Sequence, residues 1–173
     1  MILEVKFWPN SCLKAEAKVV KETDLEAAKS LVDDLFETMR AWRGMGLAAT
    51  QVAVPIRILV IDTEQVGGSL NRAFINPVIK EKTEKTILTE EGCLSFPGVF
   101  AKVTRYEGVV VETMTLTGET EDVILSGVDA VCLQHELDHL NGIVFFDHLR
   151  PAKRRMLEEK IRKNVKKINR KRK

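Results

Sequence analysis

Cysteine is scarce and odd in number, with Cys12, Cys93 and Cys132 the only three in 173 residues. That usage argues against a secreted disulfide scaffold and for a reducing compartment, so a cytoplasmic setting is expected. Long apolar runs are missing as well, and no stretch approaches the 18 or so uninterrupted apolar residues of a membrane span. The opening MILEVKFWPN has neither a basic leader nor a continuous apolar segment. No signal peptide is therefore expected, and the mature chain is expected to start near Met1. Glycine and proline are sparse, at 10 and 5 residues. With no internal repeat and no low-complexity linker, one globular fold is expected rather than two.

What is abundant is charge, and it is unevenly placed. The net value of +2 combines 12 Lys or Arg against two Glu in residues 151–173 with 15 basic against 23 acidic residues in 1–150. A cationic tail (151–173) on an acidic body (1–150) points to a polyanionic partner for the tail and a separate task for the body.

Periodicity sketches the elements. Leu25, Ala28, Leu31, Val32, Leu35, Phe36, Met39 and Trp42 form the stripe of an amphipathic helix over 24–42, with Thr23 and Glu26 as a capping box. The glycines of RGMGLAATQ (43–51) break that helix, and the β-branched run at 56–62 predicts a buried strand. Residues 72–79 predict another. Residues 107–116 and 121–125 predict a hairpin around Thr117-Gly118. From Ser126, a candidate cap helped by Asp129, a helix is expected to run to Leu140. After Pro151, the stripe of Leu157, Ile161, Val165 and Ile168 predicts a basic helix able to dock on the body or on a partner.

The second of these helices carries HELDH at 135–139. On a helix, i and i+4 lie about 40° apart, so His135 and His139 point the same way and can share one metal. Glu136 stands about 100° from His135 and about 60° from His139, suited to reach a water as general base and then acid rather than to be a third ligand. A catalytic site needs that third ligand and an open position. The histidine of one extended protease signature is replaced here by Phe145. Glu159, 20 residues beyond His139, has the spacing of some metallopeptidases, although Glu158 and Glu159 also fit ion pairs with Arg162 and Lys163. Cys93, in the constrained EEGCLSFPG, offers a thiolate suited to a borderline divalent metal. By chemistry alone Cys93 and Glu159 are close.

Three segments, GMGLAATQ (44–51), EGCLS (91–95) and QHELDH (134–139), resemble in order and spacing the three signature motifs of bacterial peptide deformylases. The similarity spans about residues 1–150 and includes INP (75–77). It implies an α+β fold of antiparallel β-sheets packed around the central HELDH helix, with an N-terminal amphipathic and a C-terminal basic helix. It also implies metal ligation by Cys93, His135 and His139, usually of Fe(II), with Zn, Ni or Co able to substitute. The implied reaction removes the formyl group from the N-terminal formyl-methionine of nascent polypeptides. Glu136 would move the proton, and the Gln51 amide and Leu94 N–H would hold the oxyanion.

The resemblance further implies that Arg105 pairs with Glu91 and braces the loop. It makes the ribosome, near its exit tunnel, a partner for the basic helix. Val128, Val131 and Cys132 fall at i, i+3 and i+4 before His135 at i+7, and with Met45 they suit a pocket for an unbranched methionine side chain. Gly44, Met45 and Gly46 can bring backbone against an extended peptide. The sequence departs from the family at Asp129, where an apolar residue is usual, and near Phe100, where several relatives have arginine. His148 has no ligand spacing and is expected to be structural or superficial; Cys12 has no visible role. Two rival readings are a metallopeptidase built on Glu159 and an RNA-binding factor whose active element is the tail.

Overall fold

The computed structural model describes residues 1–171, in the order α1 (Leu25–Ala41), β1 (Gly46–Ala48), β2 (Ile58–Asp62), β3 (Asn71–Lys82), β4 (Thr86–Gly92), β5 (Phe100–Tyr106), β6 (Gly108–Met114), β7 (Thr120–Ser126), α2 (Gly127–Leu140) and α3 (Pro151–Lys171). Arg172 and Lys173, the end of the basic tail, lie outside the described residues. The main sheet has the order β1-β2-β3-β6-β7 with every neighbouring pair antiparallel, and β4 and β5 form a separate two-stranded ribbon.

Strand β2 shows why its sequence is apolar throughout rather than alternating. Successive side chains of a strand point to opposite faces. Ile58 and Val60 enter a cluster with Ala28, Val32, Leu35 and Met39 of α1, while Leu59 and Ile61 join Ala130, Leu133 and Leu137 of α2. The sheet is therefore covered on both faces, as a continuous apolar strand requires. Helix α2 in turn contacts the ribbon through β5. It lies between the two sheets, and ten of its fourteen residues are buried. The antiparallel α+β arrangement around a central helix agrees with the expectation from sequence.

Three local expectations are corrected. Thr23 and Glu26 form no capping box: residues Glu22–Asp24 are already wound into a 3-10 turn, and Asp24 holds the cap position without a side-chain bond. Ser126 likewise makes no side-chain cap, because β7 runs directly into α2 and the Gly127 N–H is taken by the Glu107 carbonyl. Asp129 instead reaches across the fold, accepting bonds from the Thr63 hydroxyl and from Ser69 Oγ (2.8 Å) and Ser69 N–H (3.1 Å). In α3, Glu158 accepts from Arg154 at 3.0 Å rather than from Arg162, and Glu159 is exposed.

The apolar stripe of α3 docks on the body. Leu157 and Ile161 are buried with Leu13, Phe96, Phe145 and Phe146, and Val165 packs at the edge. The basic residues Lys153, Lys160, Lys163 and Lys167 stay exposed.

Candidate metal centre and active site

Two elements meet to form the site. The turn after β4 carries Cys93, and the middle of α2 carries His135, Glu136 and His139. Ligand atoms of Cys93, His135 and His139 all lie within 4.8 Å of one another. Cys93 Sγ is 3.2 Å from His139 Nε2. Glu159, exposed on α3, stands apart from this cluster.

The surrounding bonds fix how each histidine is presented. His135 Nδ1 is 2.8 Å from Glu91 Oε2. Arg105 grips the same carboxylate with two bonds, at 2.7 and 3.0 Å, and donates to Asp138 Oδ2 at 2.6 Å. His148 Nε2 meets that Asp138 oxygen at 2.7 Å. The expected Glu91–Arg105 pair is thus present. The Asp138 and His148 extension was not legible, because neither residue has a spacing that signals it. Burial pushes the Glu91 carboxyl up, but the bonds from His135 and Arg105 outweigh it and hold it at about 2. Glu91 is therefore an anion that orients the His135 ring, the usual way a carboxylate prepares an imidazole for a metal.

Glu136 has the opposite environment. Burial pushes its carboxyl up to about 7, against the opposing pull of His135. Its Oε2 is buried without a hydrogen-bond partner among the described residues. Gly46 makes room for it, since a β-carbon there would stand 2.6 Å from Glu136 Oε1. A carboxyl near neutrality with a spare oxygen is fitted to take and return a proton.

Gln51 is buried, not a surface amide. Its Oε1 accepts from the Ala48 N–H (2.9 Å), and its Nε2 donates to Ser95 Oγ (3.1 Å) and lies 3.5 Å from Cys93 Sγ. Leu94 follows Cys93 in the same turn.

A cavity of about 760 Å³ opens on this cluster. Gly44, Met45, Gly46, Cys93, Leu94, Val128, Val131, Cys132, His135 and Glu136 all line it, whereas Gln51, expected to hold the oxyanion, is not in its wall. Asp129 is not, being committed to the Thr63–Ser69 loop. Trp42, Arg43, Ile87 and Phe100 also line it. Of these only Phe100 had a signal in the sequence, as a departure from the family pattern.

The donor set fits a metal on structural grounds. One thiol and two imidazoles converge, His139 presents Nε2 to the thiol, and His135 is turned by Glu91. This mixed sulfur and nitrogen set suits a borderline divalent transition metal.

Comparison with known proteins agrees with the geometry. The polypeptide deformylase family profile matches residues 2–155. The chain is 46% identical over 165 residues to a peptide deformylase of Neisseria gonorrhoeae, covering 95% of this chain and 97% of that protein. It is 42% identical over 168 residues to one of Aquifex aeolicus, covering 96% and 98%. Its fold superposes on the crystal structure of a peptide deformylase from Legionella pneumophila with a TM-score of 0.90 at 37% identity, covering 98% of this chain and 99% of that one.

Proposed function

Because the chain belongs to the polypeptide deformylase family, metal-dependent hydrolases that remove the N-terminal formyl group from nascent polypeptides, we propose the following division of that work among its residues. Cys93, His135 and His139 hold the metal, Fe(II) in the cell, with Zn, Ni or Co able to take its place. A metal held by these three side chains would supply Lewis acidity, lowering the pKa of water toward neutrality. Glu136 receives a proton from water at its unpartnered Oε2 as the water oxygen bonds to the formyl carbon, and delivers that proton to the departing nitrogen as the C–N bond breaks, giving formate and a free amine. Gln51 Nε2 and the Leu94 N–H donate to the oxygen of the formyl group as negative charge develops there. Glu91 and Arg105 keep His135 oriented.

Substrate enters as an extended chain. β1 is an edge strand of the main sheet, so Gly44, Met45 and Gly46 beside its free edge suit pairing with peptide backbone. Val128, Val131 and Cys132, with Met45, receive the methionine side chain. Residues 1–150 are the catalytic unit, and 151–173 add a basic tail, helical over Pro151–Lys171, whose exposed lysines face ribosomal RNA near the exit tunnel, in the cytoplasm. No described helix is long and apolar enough to cross a membrane.

The observation that carries this reading is the convergence of Cys93, His135 and His139 beside a cavity that Cys93, His135 and Glu136 line. The test compares Cys93→Ala with Glu159→Ala for metal content and for formate release from formyl-Met-Ala. Cys93→Ala should lose both and Glu159→Ala neither. The reverse pattern would assign the site to a metallopeptidase.

A further inference from the structure

A line of side-chain contacts joins the protein surface to His135. It starts at His148, which ends the 3-10 turn Phe145–His148 and whose side chain is 36% exposed. His148 Nε2 is 2.7 Å from Asp138 Oδ2, the same oxygen that accepts from Arg105 Nη1 at 2.6 Å. The line then runs inward through Arg105, only 4% exposed, and Glu91 to the His135 ring. A guanidinium can only donate and the carboxylate it pairs with only accepts, so His148 Nε2 carries the hydrogen in its bond to Asp138. The backbone beneath His148 is fixed. Phe145 and Phe146 of the turn are buried, and Asp147 accepts from the Val144 N–H at 2.9 Å, from Lys14 at 2.6 Å and from Arg154 of α3 at 2.7 Å. Half-buried Asp138 can turn either to the Arg105 fork or to water, and a second charge-assisted bond on its oxygen favours the fork. With Nη1 held in this way, Nε and Nη2 of Arg105 are aimed at Glu91.

We propose that His148 is a positioning residue of the metal centre: by donating to Asp138 it holds the Arg105 fork on Glu91, keeps the His135 ring aimed, and so slows the escape of the metal. The inference rests on the reading that Cys93, His135 and His139 are the ligands. What it needs from His148 is a hydrogen on Nε2, not a charge on the ring, so a neutral donor in the same place suffices. Groups that orient a metal-bound histidine change metal affinity by about 10- to 100-fold when removed. Asp138 and Arg105 stand between His148 and Glu91, which places the effect of His148 at or below the lower end of that range.

The test follows release of zinc from the loaded full chain into an excess of a coloured chelator, at a single pH. Wild type is compared with His148→Leu, which fills much of the ring's volume without a donor, and with His148→Gln, whose amide can place an N–H near the position of Nε2. His148→Leu should release zinc roughly five- to tenfold faster than wild type, and His148→Gln should stay within about twofold of it. On a Glu91→Gln background, His148→Leu should add less than about twofold, because the path to His135 is already cut; an effect confined to the turn would add its full factor. The visible spectrum of the cobalt-loaded protein should shift in His148→Leu and not in His148→Gln. Equal release by wild type and His148→Leu, equally fast release by His148→Leu and His148→Gln, or a full added factor on Glu91→Gln would overturn the proposal. The first two comparisons need no Glu91 variant, so they decide the matter even if that protein does not fold. Cys93→Ala in the same assay probes the underlying reading: zinc held as firmly as in wild type would overturn the ligand assignment whatever the His148 ratios, which tells the two failures apart.

Discussion

Helices α2 and α3 are both rich in ionisable residues, and they treat those residues in opposite ways. α2 buries Asp129, His135, Glu136 and His139 between two sheets, and three of them are tied to distant elements, Asp129 to the Thr63–Ser69 loop, His135 to Glu91 and His139 to Cys93. α3 leaves Lys153, Lys160, Lys163, Lys166 and Lys167 in solvent and, among its described side chains, commits only Leu157 and Ile161 fully to the interior. Buried charge demands defined partners, whereas solvated charge leaves a helix free to change its sequence. The candidate site accordingly lies on the helix that is held between the two sheets.

The comparison is broken most severely by Glu136→Gln, which keeps the ligands but removes the proton carrier. Deformylation should fall by about 10²- to 10⁴-fold while metal content, measured on the same preparation, stays at the wild-type level. On α3, Leu157→Ala or Ile161→Ala opens a cavity beside Phe96 and Phe146 and should cost about 2–5 kcal/mol in urea unfolding. Cutting the chain at residue 152 should be worse, since it uncovers the whole cluster; a truncated protein of unchanged stability would show that α3 is dispensable to the core. Gly46→Ala should lower activity about 100-fold with metal retained, because the added methyl displaces the Glu136 carboxylate. The smallest effect on folding is expected from reversing Lys160, Lys163 and Lys167 to Glu, within about 0.5 kcal/mol for each. Salt-sensitive sedimentation with ribosomes should nevertheless weaken, and undiminished association would return the tail to a solubility role.

Much of this was legible from sequence, and the exceptions share a physical cause. β2, the β6–β7 hairpin, α1 and α2 announce themselves because their apolar periodicity matches what they bury. The ribbon of β4 and β5 does not, because its inward row contains Glu91 and Arg105, buried charges that interrupt the alternation. The same two residues that hide the ribbon in the sequence position His135 in the structure. His135 and His139 were readable as a pair because i and i+4 on a helix is a local geometry, whereas Cys93 was set apart from Glu159 only by the family resemblance. The role of Asp138 was not, since its contacts with Arg105 and His148 exist only once β5 and the Phe145–His148 turn close around α2. The caps expected at Thr23 and Ser126 failed because the preceding segments were already committed, one to a 3-10 turn and the other to a strand.

The placement of Cys93 at the end of that ribbon has a dynamic consequence. β4 and β5 pair only with each other, so the ribbon is held to the rest of the molecule by its inner row, by the Glu91–His135 and Arg105–Asp138 bonds, and by two bonds between the Tyr106 backbone and the Gln134 side chain. Any excursion that peels it away separates the thiol from both imidazoles. Opening of the ribbon and loss of the metal are therefore one cooperative event, and whatever binds at the three ligands holds the ribbon shut by mass action. Amide hydrogens of β4 should exchange with solvent at a rate that follows free metal concentration, while those of β2, enclosed between α1 and α2, should exchange only through global unfolding.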